Sequence, residues 1–164
     1  MIITAYNDVA TLAEAIESVL DQELKADEVI VVDDGSSDAS SEVAKVYDEV
    51  SLLRQKHMGR FSARNNGVMM AANKWIAFLD AAQKWDRDKL KKQAAFHKNS
   101  VDEKVSVCTS GECISLKEAL VKGRVESSSV MIEKRLFDQL GGFDEAFEVS
   151  EDDELWLRAV DAVK

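Results

Sequence analysis

Apolar residues in the first eighty positions alternate between short unbroken runs and runs spaced by three and four. MIIT at the start reads as a β-branched strand, and Val9, Leu12, Ala13, Ile16, Val19 and Leu20 keep to one helical face, with Asn7 or Asp8 placed to cap it. EVIVVDDGSSD is a continuous apolar strand that ends on acids, a glycine and serines, as a strand buried on both faces does on entering a loop. Asp38 is placed to cap a helix through Val43, Ala44 and Tyr47. VSLLRQ predicts a third strand, the stretch from Phe61 to Ala72 a helix, and WIAFLD a fourth strand with the same apolar run ending in Asp. The order β-α-β-α-β-α-β predicts an α/β fold whose mostly parallel sheet is flanked by helices. Ligands of such sheets bind beyond the carboxyl ends of the strands, where Asp33, Asp34 and Asp80 all fall.

The second half is less regular. Asp86 to Lys98 predicts a charged amphipathic helix, KVSVCTS and SSSVMI strands, and EKRLFDQL a helix closed by Gly141-Gly142. FDEAFEVSEDDELWLRAV predicts a turn, a loop and a terminal helix capped by Ser150. No Gly- or Ser-rich linker divides the 164 residues and no repeat is present, so the chain reads as a single domain, 1–164.

Composition narrows the function classes. A net charge of -10 opposes a general phosphate-backbone binder, so no nucleic acid partner is expected. The 46% hydrophobic content excludes wholesale disorder, and no apolar run approaches the roughly 18 to 20 residues of a membrane span. With no transmembrane segment and no signal-peptide pattern at the start, the expected location is the cytoplasm or the inner face of its membrane. Cys108 and Cys113 form one C-x4-C pair with no histidine nearby, which predicts two reduced, partly buried thiols rather than a zinc site. Average usage would give about eight prolines in this length. There are none, and nothing in the chain gives a physical reason for it.

DDGSSD alone is a turn and cap, Asp80 alone a strand-end acid, and SEDDELWLR alone a helix start with acids favourable to its dipole. Taken in order with IITAYND, EAIESVLDQ, FSARNNGV and SSVMIEKRLFDQLGGFDEAF, they make the chain resemble the family 2 glycosyltransferases of GT-A fold over nearly its whole length. The resemblance implies a Rossmann-like nucleotide-binding half at 1–85 and an acceptor and catalytic half at 86–164 that stops short of longer members. It also implies an inverting transfer of a sugar from a nucleoside-diphosphate sugar to the hydroxyl of a glycan, lipid or small molecule. By position, Thr4, Tyr6 and Asp34 would hold the base and Arg64 would lie near ribose or phosphates. Asp80 would contact ribose as the first acid of the family's D-x-D, and Asp152, in the pair with Glu151, would be the general base. Asp153 is a neighbouring acid that could raise its partner's proton affinity.

The chain departs from that pattern at Ala82, where the family places the acid that binds Mn²⁺ or Mg²⁺, so Asp80 is left as the one metal ligand of the motif. Gln83 is uncharged and one residue late, and Thr4 stands where most members have proline. A second reading is therefore an inert or catalytically impaired nucleotide-binding domain of the same fold. A third, of another class, is a receiver-like domain with Asp33 and Asp34 as acid pair, Asp80 as phosphate acceptor and Lys134 as its lysine. A complete strand and helix ahead of the acid pair count against it.

Overall fold

The computed structural model describes residues 1–109, 111–123, 125–146 and 153–162. Its first four strands are β1 (Ile2–Ala5), β2 (Val29–Asp33), β3 (Val50–Arg54) and β4 (Trp75–Asp80), joined through helices α1 (Leu12–Leu20), α2 (Ser40–Ala44) and α3 (Arg60–Met70). Then come α4 (Lys89–Asn99), β5 (Val105–Cys108), β6 (Cys113–Ser115), α5 (Leu116–Lys122), a 3₁₀ turn at Ser127–Ser129, β7 (Val130–Glu133), α6 (Lys134–Leu140) and α7 (Asp153–Ala162). One sheet runs in the order β3-β2-β1-β4-β7-β5-β6. It is parallel from β3 to β4 and antiparallel from β4 onward.

Successive side chains of a strand point to opposite faces, and here both faces are covered. Ile2, Ile30, Val32, Ile76 and Phe78 pack toward α3, α6 and α7, where Phe61, Phe137 and the fully buried Leu155 and Trp156 meet them. Ile3, Val31, Ala77 and Leu79 pack on the other face with Leu12, Ile16 and Val19 of α1. Each such side chain removed from water contributes about 1.5 to 3 kcal/mol, which explains why the central strands read as unbroken apolar runs. Gly67 sits where α3 crosses β1, and a Cβ there would lie 2.6 Å from Ile2 Cγ2.

Several elements differ from their sequence patterns. α1 begins at Leu12 on a backbone turn in which Thr11 N and Leu12 N donate to Asp8 O, and the Asp8 carboxylate accepts from Tyr6 N instead of capping the helix. Asp38 accepts from Ser40 N and also from Val9 N, so it ties the β2–α2 loop to the β1–α1 loop. α4 starts at Lys89, three residues after Asp86. β6 and α5 are additions. Their short apolar runs carry no clear period, but Ile114, Leu116 and Ala119 are buried against Val105 and Val107. The expected thiols are instead a Cys108–Cys113 disulfide, because β5 and β6 pair antiparallel and place the two residues opposite each other with Cα atoms 4.1 Å apart.

Candidate functional site

Parallel pairing sets the site. Thr4 stands opposite Asp80 and Ala5 opposite Asp33, so β1, β2 and β4 end level at one edge of the sheet. A cavity of about 860 Å³ opens there, lined among others by Thr4, Tyr6, Asp34, His57, Asp80 and Ala82. Its volume suits a nucleotide-sized ligand.

The two acids that end β2 have different fates. Asp33 is buried and accepts from Ser36 N at 2.8 Å and from the Ser41 hydroxyl, with the Arg54 guanidinium 3.5 Å away. Burial alone would raise its carboxyl, but these hydrogen bonds and the Arg54 charge outweigh it and hold the group below its ordinary value. It fastens the loop to α2. Asp34 faces the cavity with all its acceptor positions used: Oδ1 takes Gln55 Nε2 at 2.7 Å and Met58 N at 2.9 Å, and Oδ2 takes Gly59 N at 2.9 Å and meets His57 Nδ1 at 2.8 Å. Gly35, at φ +79°, lets the chain turn against the 55–57 backbone, where a Cβ would lie 2.6 Å from His57 N.

His57 also stacks on Tyr6, ring centroids 3.8 Å apart and planes 14° from parallel. The imidazole thus makes both contacts expected of a bound base, stacking on Tyr6 and hydrogen bonding to Asp34. Neither His57 nor Gln55 was singled out from sequence. The available signal was positional, since RQKHMG follows β3 at the same carboxyl edge.

Arg64 is 1% exposed and points from α3 to β4, donating through Nη2 to Asp80 Oδ1 at 3.0 Å and Oδ2 at 3.2 Å, and through Nη1 to Ser127 Oγ at 3.1 Å. Its guanidinium lies beside the stacked rings of Phe61 and Phe143, 5.9 and 5.2 Å from their centroids. Thr4 Oγ1 adds a 3.1 Å bond to Asp80 Oδ1. Phe143 is held in turn by Asn65, whose side chain exchanges two 2.9 Å bonds with its backbone. The structure therefore brings Thr4, Tyr6, Asp34, Arg64 and Asp80 together, while Glu151 and Asp152 lie outside the described residues.

The described residues do not fit a divalent metal. Asp80 is committed to Arg64 and Thr4, Ala82 offers a methyl group, and no group of three or more His, Cys, Asp or Glu among the described residues could hold an ion. The receiver-like reading fails on geometry. Lys134 follows Glu133, which pairs with Trp75 at the start of β4, so it sits at the opposite end of that strand from Asp80 and pairs with Asp138.

Among solved structures, the fold is similar to that of TarS from S. aureus bound to UDP-GlcNAc, with a TM-score of 0.81 at 19% identity over 96% of this chain and 52% of that one. It is also similar to the mannosyltransferase PcManGT from Pyrobaculum calidifontis in complex with GDP-Man and Mn²⁺, with a TM-score of 0.73 at 19% identity over 88% and 47%. Among curated sequences, an uncharacterized glycosyltransferase of Rickettsia felis is 39% identical over 99 residues, 58% of this chain and 16% of that protein. The putative teichuronic acid biosynthesis glycosyltransferase TuaG of Bacillus subtilis is 33% identical over 101 residues, 58% of this chain and 40% of that protein. The chain thus matches only part of each relative's length. The model of glycosyl transferase family 2 matches residues 1–136, most of the chain, and the chain belongs to glycosyl transferase family 2.

Proposed function

We propose that the chain is the donor-binding domain of an inverting glycosyltransferase that moves a sugar from a nucleoside-diphosphate sugar to an acceptor hydroxyl. The observation that carries this reading is the 860 Å³ cavity at the level strand ends, lined by Tyr6, Asp34 and Asp80, with the buried Arg64 guanidinium holding Asp80 from behind the lining. The solved neighbours named with UDP-GlcNAc and GDP-Man support a nucleotide-sugar ligand. In the step, the acceptor oxygen bonds to the anomeric carbon from the face opposite the leaving group. The carbon–oxygen bond to the diphosphate breaks with its electron pair on the diphosphate, and the acceptor proton passes to a base. Asp152 is the proposed base, in the pair with Glu151, ahead of α7.

Calorimetry with UDP and GDP, followed by turnover of the corresponding nucleotide sugars, tests the proposal. Asp152→Asn keeps shape and removes basicity, so turnover should fall by roughly 10² to 10⁴ with donor affinity retained. Full activity in that variant refutes the assignment. A second reading, nucleotide binding without turnover, is favoured by Ala82 and by the commitment of Asp80 to Arg64. Tight nucleotide binding with no sugar release in any acceptor mixture would select it. No helix among the described residues is long and apolar enough to cross a membrane.

A further inference from the structure

A second cavity, of about 690 Å³, lies beside the first, with Gln83 on its wall next to Ala82 of the nucleotide cavity. The start of α4, the β5–β6 hairpin and the 3₁₀ turn enclose it. Lys89, the first residue of α4, lines it and is only 6% exposed. Its Nζ donates to Gln93 Oε1 at 2.7 Å and stands 3.9 Å from the Trp85 ring centroid. Both partners are neutral and both are fixed. Gln93 Nε2 donates to Ser129 O at 3.2 Å, and the Trp85 indole donates to Ser128 O at 2.8 Å.

The other lysines of this cavity already have counter-ions: Lys84 pairs with Glu14 at 2.9 Å, Lys92 with Asp88 at 2.8 Å and Lys122 with Glu118 at 2.7 Å. Lys89 has none among the described residues. A buried ammonium without an anion is costly, and desolvation lowers its pKa from 10.5 to about 7. A ligand anion entering the cavity would restore the missing charge. Asp86, Asp88, Glu112 and Glu126 also line the cavity, and since carboxylates only accept hydrogen bonds they suit the hydroxyls of a sugar rather than further negative charge.

We propose that this cavity seats the acceptor and that the acceptor carries one anionic group, a uronate carboxylate or a sugar phosphate, which pairs with Lys89. Only the word acceptor rests on the glycosyltransferase reading. The pairing itself is a binding claim.

The test is nitrogen NMR of protein carrying ¹⁵N in its lysine side chains, titrated separately with glucuronate, glucose 6-phosphate and glucose. At least one anionic sugar should move the Lys89 resonance and raise its titration midpoint by about one unit or more, with neutral glucose inert. The two anionic arms distinguish carboxylate from phosphate. Lys89→Met keeps the stem and should weaken anion binding by roughly tenfold or more, and Lys89→Arg should recover part of it. The wild-type titration stands even if a variant fails to fold. Silence of Lys89 toward both anions, an equal response to glucose, or unchanged anion affinity in Lys89→Met overturns the inference. UDP is titrated in the same samples. Anion binding without UDP binding removes the donor reading and leaves this site standing, while UDP binding with no anion response removes this site alone.

Discussion

The most direct test of the nucleotide site is His57→Ala, because the imidazole occupies the two contacts that the base would make. The ring centroids of Tyr6 and His57 are 3.8 Å apart, which leaves no room for a base between them. A base that stacks on Tyr6 must move the imidazole aside and break its 2.8 Å contact with Asp34. An aromatic pair contributes about 0.5 to 1.5 kcal/mol and a hydrogen bond about as much net. The nucleotide thus competes against roughly 1 to 3 kcal/mol, and His57→Ala should tighten UDP binding by about 5- to 150-fold. The loop should survive, since Asp34 keeps Gln55 Nε2, Met58 N and Gly59 N. Asp34→Ala is the poorer probe, because it leaves those donors unsatisfied at a cost of about 1 to 3 kcal/mol for each one that stays buried. Isothermal calorimetry at fixed salt reads the effect, with Tyr6→Ala as the control that should lose affinity. Weaker UDP binding in a normally folded His57→Ala protein would refute the reasoning and make the imidazole a wall of the base pocket.

Two further expectations are measurable without a turnover assay. Ala82→Asp sets a second carboxylate near Asp80, so the unliganded protein should lose up to about 1 kcal/mol while Mn²⁺ plus nucleotide raises the melting midpoint above that of the parent; a parent that already responds strongly to Mn²⁺ contradicts this. Lys89, lowered to about 7 in the folded state from 10.5, binds fewer protons there than when unfolded, so its penalty is full below pH 7 and is relieved as pH rises toward 10.5. Parent stability relative to Lys89→Met, from urea unfolding, should therefore climb between those limits by up to roughly 5 kcal/mol, and a flat difference would show that the amine is not buried as a cation.

The parallel half of the fold was legible because its strands are buried on both faces and each ends on a polar break. The period of 3.6 in α1 and the runs of β1, β2 and β4 survive in the structure nearly residue for residue. The hairpin of β5 and β6 was not legible. β5 is the strand that KVSVCTS predicts, but its partner β6 is three residues long, too short to show a period, and only its pairing with β5 reveals it. Site residues on strand ends were legible for the same reason as the strands. His57 was not, because nothing local marks a histidine that follows the third strand, and its role comes from Tyr6, fifty-one positions earlier, reaching the same place. The disulfide was missed because the C-x4-C pair was weighed only as a metal site or free thiols, and without β6 nothing showed that a tight antiparallel turn puts the two cysteines opposite each other.

Asp80 looks like the residue most committed to chemistry, yet its contacts give it a second reason to be there. Arg64 is buried beside two stacked phenylalanine rings, and a guanidinium in that position needs an anion; among the described residues Asp80 reaches it. Removing Asp80 would take away that contact and loosen α3 from β4 and β1 together, whether or not a sugar is ever transferred. Asp33 is similar, spent on Ser36, Ser41 and Arg54. An acid with such a structural duty would persist in a domain that had lost turnover, so neither Asp33 nor Asp80 separates an active enzyme from an inert relative. Two positions at the nucleotide cavity have little else to hold: Tyr6, 44% exposed with its ring against His57, and the methyl of Ala82. Substitutions at Tyr6 and Ala82 therefore probe the cavity with less disturbance of the fold than substitutions at Asp33 or Asp80.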